Sequence, residues 1–289
     1  MYGLRGLLAT LTNIRSRQPA VGEPSPSAAR RPPRDQRTPS GTIPHMEISE
    51  HLQVLDAEGK LLARAAEAAG TDAKVATCPG WTVRDLLRHT GAVHRWAAAF
   101  VADGHTSPRP IGDPPDLDGA ALLDWYRQAH ADLVATLRAA APDIQCWAFL
   151  PAPSPLAFWA RRQANETTIH RVDAESALGG APSPIGTEFA ADGIDELLRG
   201  FHARSRSRVR TPEPRVLRMR ATDAGADAVW TVRLSQEPPV TERGDDGRAD
   251  CEVSGPAEHL YLALWNRAPI PHVSGDTTLS ALWSETSGV

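Results

Sequence analysis

The sequence is poor in cysteine, in basic charge and in long apolar stretches. Its 289 residues include three scattered cysteines, Cys78, Cys146 and Cys251, and an odd, low count without C-x-x-C spacing argues against a disulfide framework and favours a reducing compartment. The formal net charge is −4, so nucleic acid is not an expected partner. No apolar run approaches the roughly 18 residues that cross a bilayer, so no membrane partner is expected. These absences predict a cytoplasmic globular protein.

Residues 1–45 stand apart from the rest of the chain, because residues 17–45 are rich in Pro, Ser, Arg and Gly and contain almost no large apolar side chains. Such a segment buries too little surface to offset its ordering entropy, so it is predicted to be a disordered leader. Its Arg-rich, acid-poor composition is also typical of an organellar targeting peptide. The interpretation we favour is a true start at Met46, preceded by an over-extended leader.

Four helices are predicted within residues 46–185. The first covers "EISEHLQVLDAEGKLLARAAEAAG", which carries one apolar stripe. The second begins at Thr82, where Asp85 completes a capping-box pattern, and runs to about Ala102. The third covers "AALLDWYRQAHADLVATLRAA", and the fourth begins at Ser154 with Pro155 at its first position. Four amphipathic helices joined partly by long loops predict a four-helix bundle.

Residues 186–289 have a different character and predict a second, smaller α+β domain. One more helix is expected over residues 186–205, followed by a hairpin formed by "RVLRMRATD" and "DAVWTVRLSQ". "ADCEVSG" is predicted to be a strand, and "PAEHLYLALWNR" a helix that opens at Pro256. The fold class is therefore α+β, with a bundle that precedes a small mixed domain.

A glutamate and a histidine lie one helical turn apart in the fourth helix, at Glu166 and His170. Such a pair is either an ordinary surface hydrogen bond or part of a metal site. The second helix contains His89, on the inward side of its periodicity, and His94, which is predicted to point outward. His89, Glu166 and His170 would together leave positions open for water and substrate. Zinc suits these ligands best, and iron, nickel and manganese are alternatives.

Two segments resemble signature helices of the mycothiol-dependent maleylpyruvate isomerase family, within the wider DinB-like bundle proteins. "CPGWTVRDLLRHTGAVHRW" resembles the family pattern P-x-W-x-V-x-D-L-x-x-H, whose last residue here is His89. "RRQANETTIHRVDAESALG" resembles its E-x-x-x-H-R-x-D-A segment, with Glu166 and His170. "VSGPAEHLYLALWNR" is similar to the family's sterol-carrier-like second domain, although Asn266 stands where glycine is more usual. The likeness covers essentially residues 46–285.

The resemblance implies a metal site formed by His89, Glu166 and His170, with mycothiol as a thiol cosubstrate. The implied activity is that of an isomerase or S-transferase acting on a small electrophile such as maleylpyruvate. None of the three cysteines has the features expected of the nucleophile, so a low-molecular-weight thiol is expected from outside. The alternative is a non-enzymatic ligand-binding or regulatory protein in which the metal is structural. A monomer is the simplest expectation.

Arg267 is the candidate catalytic cation, because it ends a predicted helix and resembles a functionally important family position. A cation there could hold the carboxylate or enolate of a substrate. The alternative for Arg267 is a surface charge that interacts with the helix dipole. Arg171 and Asp173 are predicted to form salt bridges, and support of His170 by one of them is the second possibility.

Overall fold

The computed structural model describes residues 46–288, so the predicted leader of residues 1–45 lies outside the described residues. The first part of the described chain is the predicted four-helix bundle. Its helices are α1 (Ile48–Ala69), α2 (Val83–Ala102), α3 (Gly119–Ala139) and α4 (Pro155–Ser176). Within residues 46–288 no helix is both long and apolar enough to cross a membrane.

The predicted starts of α2 and α4 are confirmed in atomic detail. The Thr82 backbone N–H donates to the Asp85 carboxylate over 2.9 Å, and the Thr82 hydroxyl accepts from the Asp85 backbone N–H over 3.4 Å. The Ser154 hydroxyl accepts from the Ala157 backbone N–H over 3.1 Å, with Pro155 at the first helical position. Both caps satisfy backbone donors that have no partner inside the helix.

Helix α4 lies at the centre of the described structure. It packs against α1 and α2 of the bundle, and residues of the second unit cover its remaining side, as shown by a 2.8 Å hydrogen bond from the Tyr261 hydroxyl to Asn165 Oδ1. Polar residues such as Arg162 and Asp173 are therefore buried along with its apolar ones. The prediction that α4 is amphipathic is wrong, because both units pack against this polar helix and bury its polar and its apolar residues alike.

The second unit is a five-stranded sheet with helices, as predicted for an α+β domain. The elements are α5 (Thr187–Asp195), a π-helix (Glu196–Phe201), β1 (Arg215–Ala221), β2 (Val229–Leu234), β3 (Val240–Arg243), β4 (Cys251–Gly255), α6 (Ala257–Leu264), β5 (His272–Gly275) and α7 (Thr277–Thr286). The strand order is β3-β2-β1-β4-β5, and the β1–β4 pair alone is parallel. The predicted hairpin is confirmed, with Arg215 opposite Leu234.

Two features of this unit differ from the prediction. The helix expected over residues 186–205 is regular only to Asp195, and its last turns are π-helical and end at Phe201. Strand β3 was not predicted, because four residues at a sheet edge provide too short an alternation to recognise. One apolar core, which includes Trp159 of α4 and Trp230 of β2, continues across both units. The division into domains at residue 186 stays a prediction.

Gly193 sets how closely α5 approaches its neighbours. A Cβ at this position would lie 2.4 Å from the Tyr261 ring and 2.5 Å from Asn165 Oδ1. We expect Gly193→Ala to lower the free energy of unfolding by about 1–3 kcal/mol, because packed side chains must shift to accept the methyl group. Urea denaturation measures the loss, and Gly112→Ala is the control, since nothing lies within 4 Å of its added Cβ. Equal stability of the two variants would contradict this packing.

Candidate metal centre

The three predicted ligand residues lie together on the facing sides of α2 and α4. One donor atom from each of His89, Glu166 and His170 lies within 4.8 Å of the other two. Glu166 Oε1 is 3.3 Å from His89 Nε2 and 3.2 Å from His170 Nε2. The i,i+4 spacing on α4 therefore presents both side chains to α2 at the level of His89.

His94, by contrast, is buried inside the bundle, and its predicted outward orientation is wrong. It is 0% exposed, and its Nε2 lies 2.9 Å from the Thr167 hydroxyl of α4. Because α2 packs against both α3 and α4, its buried face is wider than the single stripe that periodicity suggested. His94 therefore belongs to the polar interior of the bundle.

Trp81 forms one wall of the candidate site. Its ring centroid is 5.2 Å from that of His89 and 6.2 Å from that of His170, with the His170 ring stacked on it. A tight turn brings it there: the Trp81 backbone N–H donates to Cys78 over 2.9 Å, and Gly80 has φ 91°. A large indole in this position restricts the rotation of both imidazoles.

The charges in the group are strongly coupled. Burial would raise the pKa of Glu166, but hydrogen bonds from His170 and His89 outweigh it and hold this pKa well below its usual range. Burial lowers the pKa of His89. Burial also opposes the charge on His170, yet hydrogen bonds to Asp173 and Glu166 raise its pKa to about 9. A metal ion at this place would therefore have to displace a proton from His170.

Asp173 connects His170 with the second unit. The His170 Nδ1–H donates to Asp173 Oδ2 over 2.9 Å, which leaves Nε2 facing Glu166. Arg267 donates from Nε and Nη2 to the two Asp173 oxygens over 2.8 and 2.9 Å. Burial alone would raise the pKa of Asp173, but Arg267 and His170 together hold it well below its usual range. The second possibility considered for Asp173, support of His170, is thus observed.

Arg267 reaches the site because of the conformation of Asn266. Asn266 has φ 58°, in the left-handed region, and the Arg267 backbone N–H donates to Leu262 over 2.8 Å. Glycine is favoured at such a helix end and asparagine is the next choice, so Asn266 is a residue type that this turn accepts. The Arg267 side chain is 16% exposed, which does not fit the alternative of a surface charge.

The second motif arginine, Arg171, is structural. It is fully buried and donates to Glu58 of α1 over 2.6 Å and to Glu175 over 2.7 Å. A salt bridge was predicted for it, and Arg171 forms two, one between helices and one local. Arg171 therefore ties α4 to α1 and does not contact the three candidate ligands.

Cys78 lies beside Arg267, a contact that the sequence analysis missed. Its Sγ is 3.3 Å from Asp173 Oδ2 and 3.2 Å from Arg267 Nη2. Burial and the neighbouring Asp173 carboxylate raise the pKa of the Cys78 thiol to about 12, and burial also raises the pKa of Cys146 and of Cys251. All three are free thiols that stay protonated at neutral pH.

The donor set fits a divalent metal ion. Two imidazole nitrogens and one carboxylate oxygen are ligands that zinc and neighbouring transition metals accept. The bond from His170 Nδ1 to Asp173 is the outer contact that metal-binding histidines usually make. The group contains three such residues among those described, which is the number found in catalytic sites, whereas structural zinc sites usually close with four.

Comparisons with known proteins point to one family. Residues 52–175 match the mycothiol maleylpyruvate isomerase N-terminal domain, and residues 188–282 match the C-terminal domain of the same proteins. A crystal structure of the mycothiol-dependent maleylpyruvate isomerase has a TM-score of 0.54 at 16% identity. One of its histidine-to-alanine mutants has a TM-score of 0.57 at 15% identity. Each alignment covers 81% of this chain and 96% of the other. No curated protein sequence matches significantly.

Proposed function

The chain belongs to the mycothiol-dependent maleylpyruvate isomerase family, and we propose from this that it is a metal- and thiol-dependent enzyme acting on a small electrophile. The proposed reaction is cis–trans isomerisation of a conjugated unsaturated acid such as maleylpyruvate. Transfer of the thiol to the electrophile is the second candidate. The observation that carries the proposal is the convergence of His89, Glu166 and His170 within 4.8 Å.

The proposed ligands are His89 and His170 through Nε2 and Glu166 through Oε1. A divalent ion bound there would lower the pKa of a thiol and stabilise negative charge on a substrate oxygen. The chain contributes the orientation of the ligands. Trp81 confines both imidazoles, and Asp173 fixes the tautomer of His170.

The thiol itself is proposed to come from outside the chain. Each of the three cysteines has a pKa above its ordinary value, because each is wholly or partly buried. None of them supplies a thiolate at neutral pH, and only the thiolate is a strong nucleophile. Mycothiol is the proposed cosubstrate, since the family is named for its dependence on it. We also propose a cytoplasmic location, because a reducing compartment keeps cysteines such as these three as free thiols.

In the isomerase reaction, the thiolate sulfur forms a bond to an alkene carbon that is conjugated with a carbonyl group. The alkene π pair moves toward the carbonyl oxygen, which becomes an enolate, and the former double bond is free to rotate. Return of the electron pair re-forms the alkene and expels the thiolate unchanged. A transferase would instead protonate the enolate and keep the carbon–sulfur bond.

Arg267 is the proposed cation for the acid group of the substrate. Its guanidinium lies beside Asp173, which contacts a proposed ligand, and is 16% exposed. A fixed positive charge in a mostly dry site stabilises a developing anion better than it would in water. Nε and Nη2 donate to Asp173, Nη2 also donates to Cys78 Sγ, and Nη1 donates to the Trp265 carbonyl, so the substrate would use the remaining N–H of Nη1.

A product assay separates the candidate functions. Zinc-loaded full-length chain is incubated with mycothiol and maleylpyruvate, and the alkene geometry and the thiol are followed by NMR and mass spectrometry. An isomerase converts cis to trans without consuming thiol, and a transferase consumes one thiol for each product. His89→Ala is expected to lower either rate at least about 100-fold, as removal of a strong transition-state contact does. Absence of both reactions across a panel of electrophiles would favour the ligand-binding alternative.

A further inference from the structure

Glu166 is held by an ion pair that reaches the second unit. Arg162, one turn earlier on α4, donates from Nη2 to Glu166 Oε2 over 3.2 Å and from Nη1 to Glu196 Oε2 over 2.5 Å. Arg162 and Glu196 side chains are each 3% exposed, and Glu196 begins the π-helix. The Arg162 guanidinium also lies 4.9 Å from the Phe201 ring centroid. This connection is called relay one: Glu196, Arg162, Glu166.

His170 is held in the same way from another part of the second unit. Arg267 grips both oxygens of Asp173, and Asp173 accepts from His170 Nδ1. The Asp173 side chain is 0% exposed. This connection is called relay two: Arg267, Asp173, His170. Each of the two α4 ligands therefore ends a chain of charged contacts that starts outside the bundle.

We propose that the C-terminal unit sets the metal affinity of the site, through these two relays. The inference rests on the proposed function, since it concerns the same three ligands. Glu196 and Arg267 act here as positioning residues, because they reach the site through Arg162 and Asp173. The bundle provides the ligands, and the second unit fixes their orientation and charge.

Each relay has a defined physical effect. Glu196 shares the positive charge of Arg162, so Arg162 does not fully neutralise Glu166. Without that acid, the guanidinium would pair with Glu166 alone and compete with a metal ion for it. Arg267 keeps the Asp173 carboxylate in the plane where it accepts from His170 Nδ1, which turns Nε2 toward Glu166. A lysine at position 267 would not donate to both Asp173 oxygens with the paired geometry of a guanidinium.

The test measures metal affinity of the full-length chain, without any assay of activity. Zinc dissociation constants of Glu196→Gln and Arg267→Lys are determined by competition with a chromophoric chelator, and cobalt-loaded samples report coordination by visible absorption. Asp192→Asn is the matched control. Asp192 is buried one turn before Glu196 and pairs with Arg161, the neighbour of Arg162, but this pair reaches no ligand. Circular dichroism verifies folding, and Glu196→Asp replaces Glu196→Gln if the latter does not fold.

Both relay variants are expected to bind zinc about 10- to 100-fold more weakly and to change the cobalt spectrum, as loss of an outer contact does. Asp192→Asn is expected to stay within about threefold of wild type, since it leaves both relays intact. Wild-type affinity in either folded relay variant, or an equal loss in Asp192→Asn, would overturn the inference while the proposed function stands. A wild-type chain that binds no metal would overturn both.

Discussion

Glu166→Gln is expected to weaken zinc binding by the full-length chain more than about 100-fold, beyond the loss typical of an outer contact. Glu166 is the one acidic residue among the three candidate ligands, and its Oε1 lies 3.2–3.3 Å from both imidazole Nε2 atoms. Its pKa is held well below the usual range despite burial, so the carboxylate is charged whenever a metal could bind. Glutamine keeps the shape of the side chain and removes that charge. Isothermal titration with zinc measures the change.

Glu175→Gln is the control for this experiment. Glu175 lies on the same helix, and its carboxylate accepts from Arg171 and Ser183 and not from the ligand residues. The zinc affinity of the Glu175→Gln variant should therefore equal that of the wild type. Tight zinc binding by Glu166→Gln would contradict the assigned ligand set, and a loss in both variants would point to damage of α4 as a whole.

Arg171→Leu is expected to lower the free energy of unfolding by about 3–5 kcal/mol, because it leaves buried charge without a partner. The Arg171 side chain is 0% exposed, and Glu58, its partner on α1, is 11% exposed. Replacement of Arg171 therefore leaves the Glu58 carboxylate without its ion-pair partner between two helices. Urea denaturation followed by circular dichroism gives the change in stability.

The exposed pair of Arg127 with Glu67 provides the comparison, with side chains 41% and 59% exposed. Arg127→Leu should lower the free energy of unfolding by at most about 1 kcal/mol. The double variant Glu58→Leu/Arg171→Leu should recover part of the lost free energy of unfolding, because it no longer contains the unpaired Glu58 carboxylate. Folded Arg171→Leu should bind zinc like the wild type, since Arg171 does not touch the ligands. If Arg171→Leu lowered the free energy of unfolding by less than about 1 kcal/mol, as an exposed pair does, Arg171 would not anchor α4.

Local features were predictable from the sequence because they involve neighbouring residues. The caps at Thr82 and Ser154 and the Glu166–His170 pair depend on spacings of three or four positions, which the geometry of a helix fixes. His89 could be selected as the third ligand because it follows Leu86 on the buried side of α2. Resemblance to the family then indicated the same three residues.

Contacts between distant parts of the chain were not predictable. Asp173 and Arg267 are 94 positions apart in the sequence, and no periodicity links them. Helix α4 is polar in sequence, yet it is buried because the second unit covers it, so its polar residues pair with one another and with that unit. His94 was misplaced for a related reason, since α2 has neighbours on two sides.

Elemental analysis of the purified full-length chain, beside the double variant His89→Ala/His170→Ala, tests the central claim most directly. The predicted result is about one divalent metal ion per wild-type chain and none in the double variant, because a single carboxylate does not retain a transition metal through purification. Equal metal content in the two proteins, or none in either, would contradict the three-ligand site and the metal-dependent function built on it.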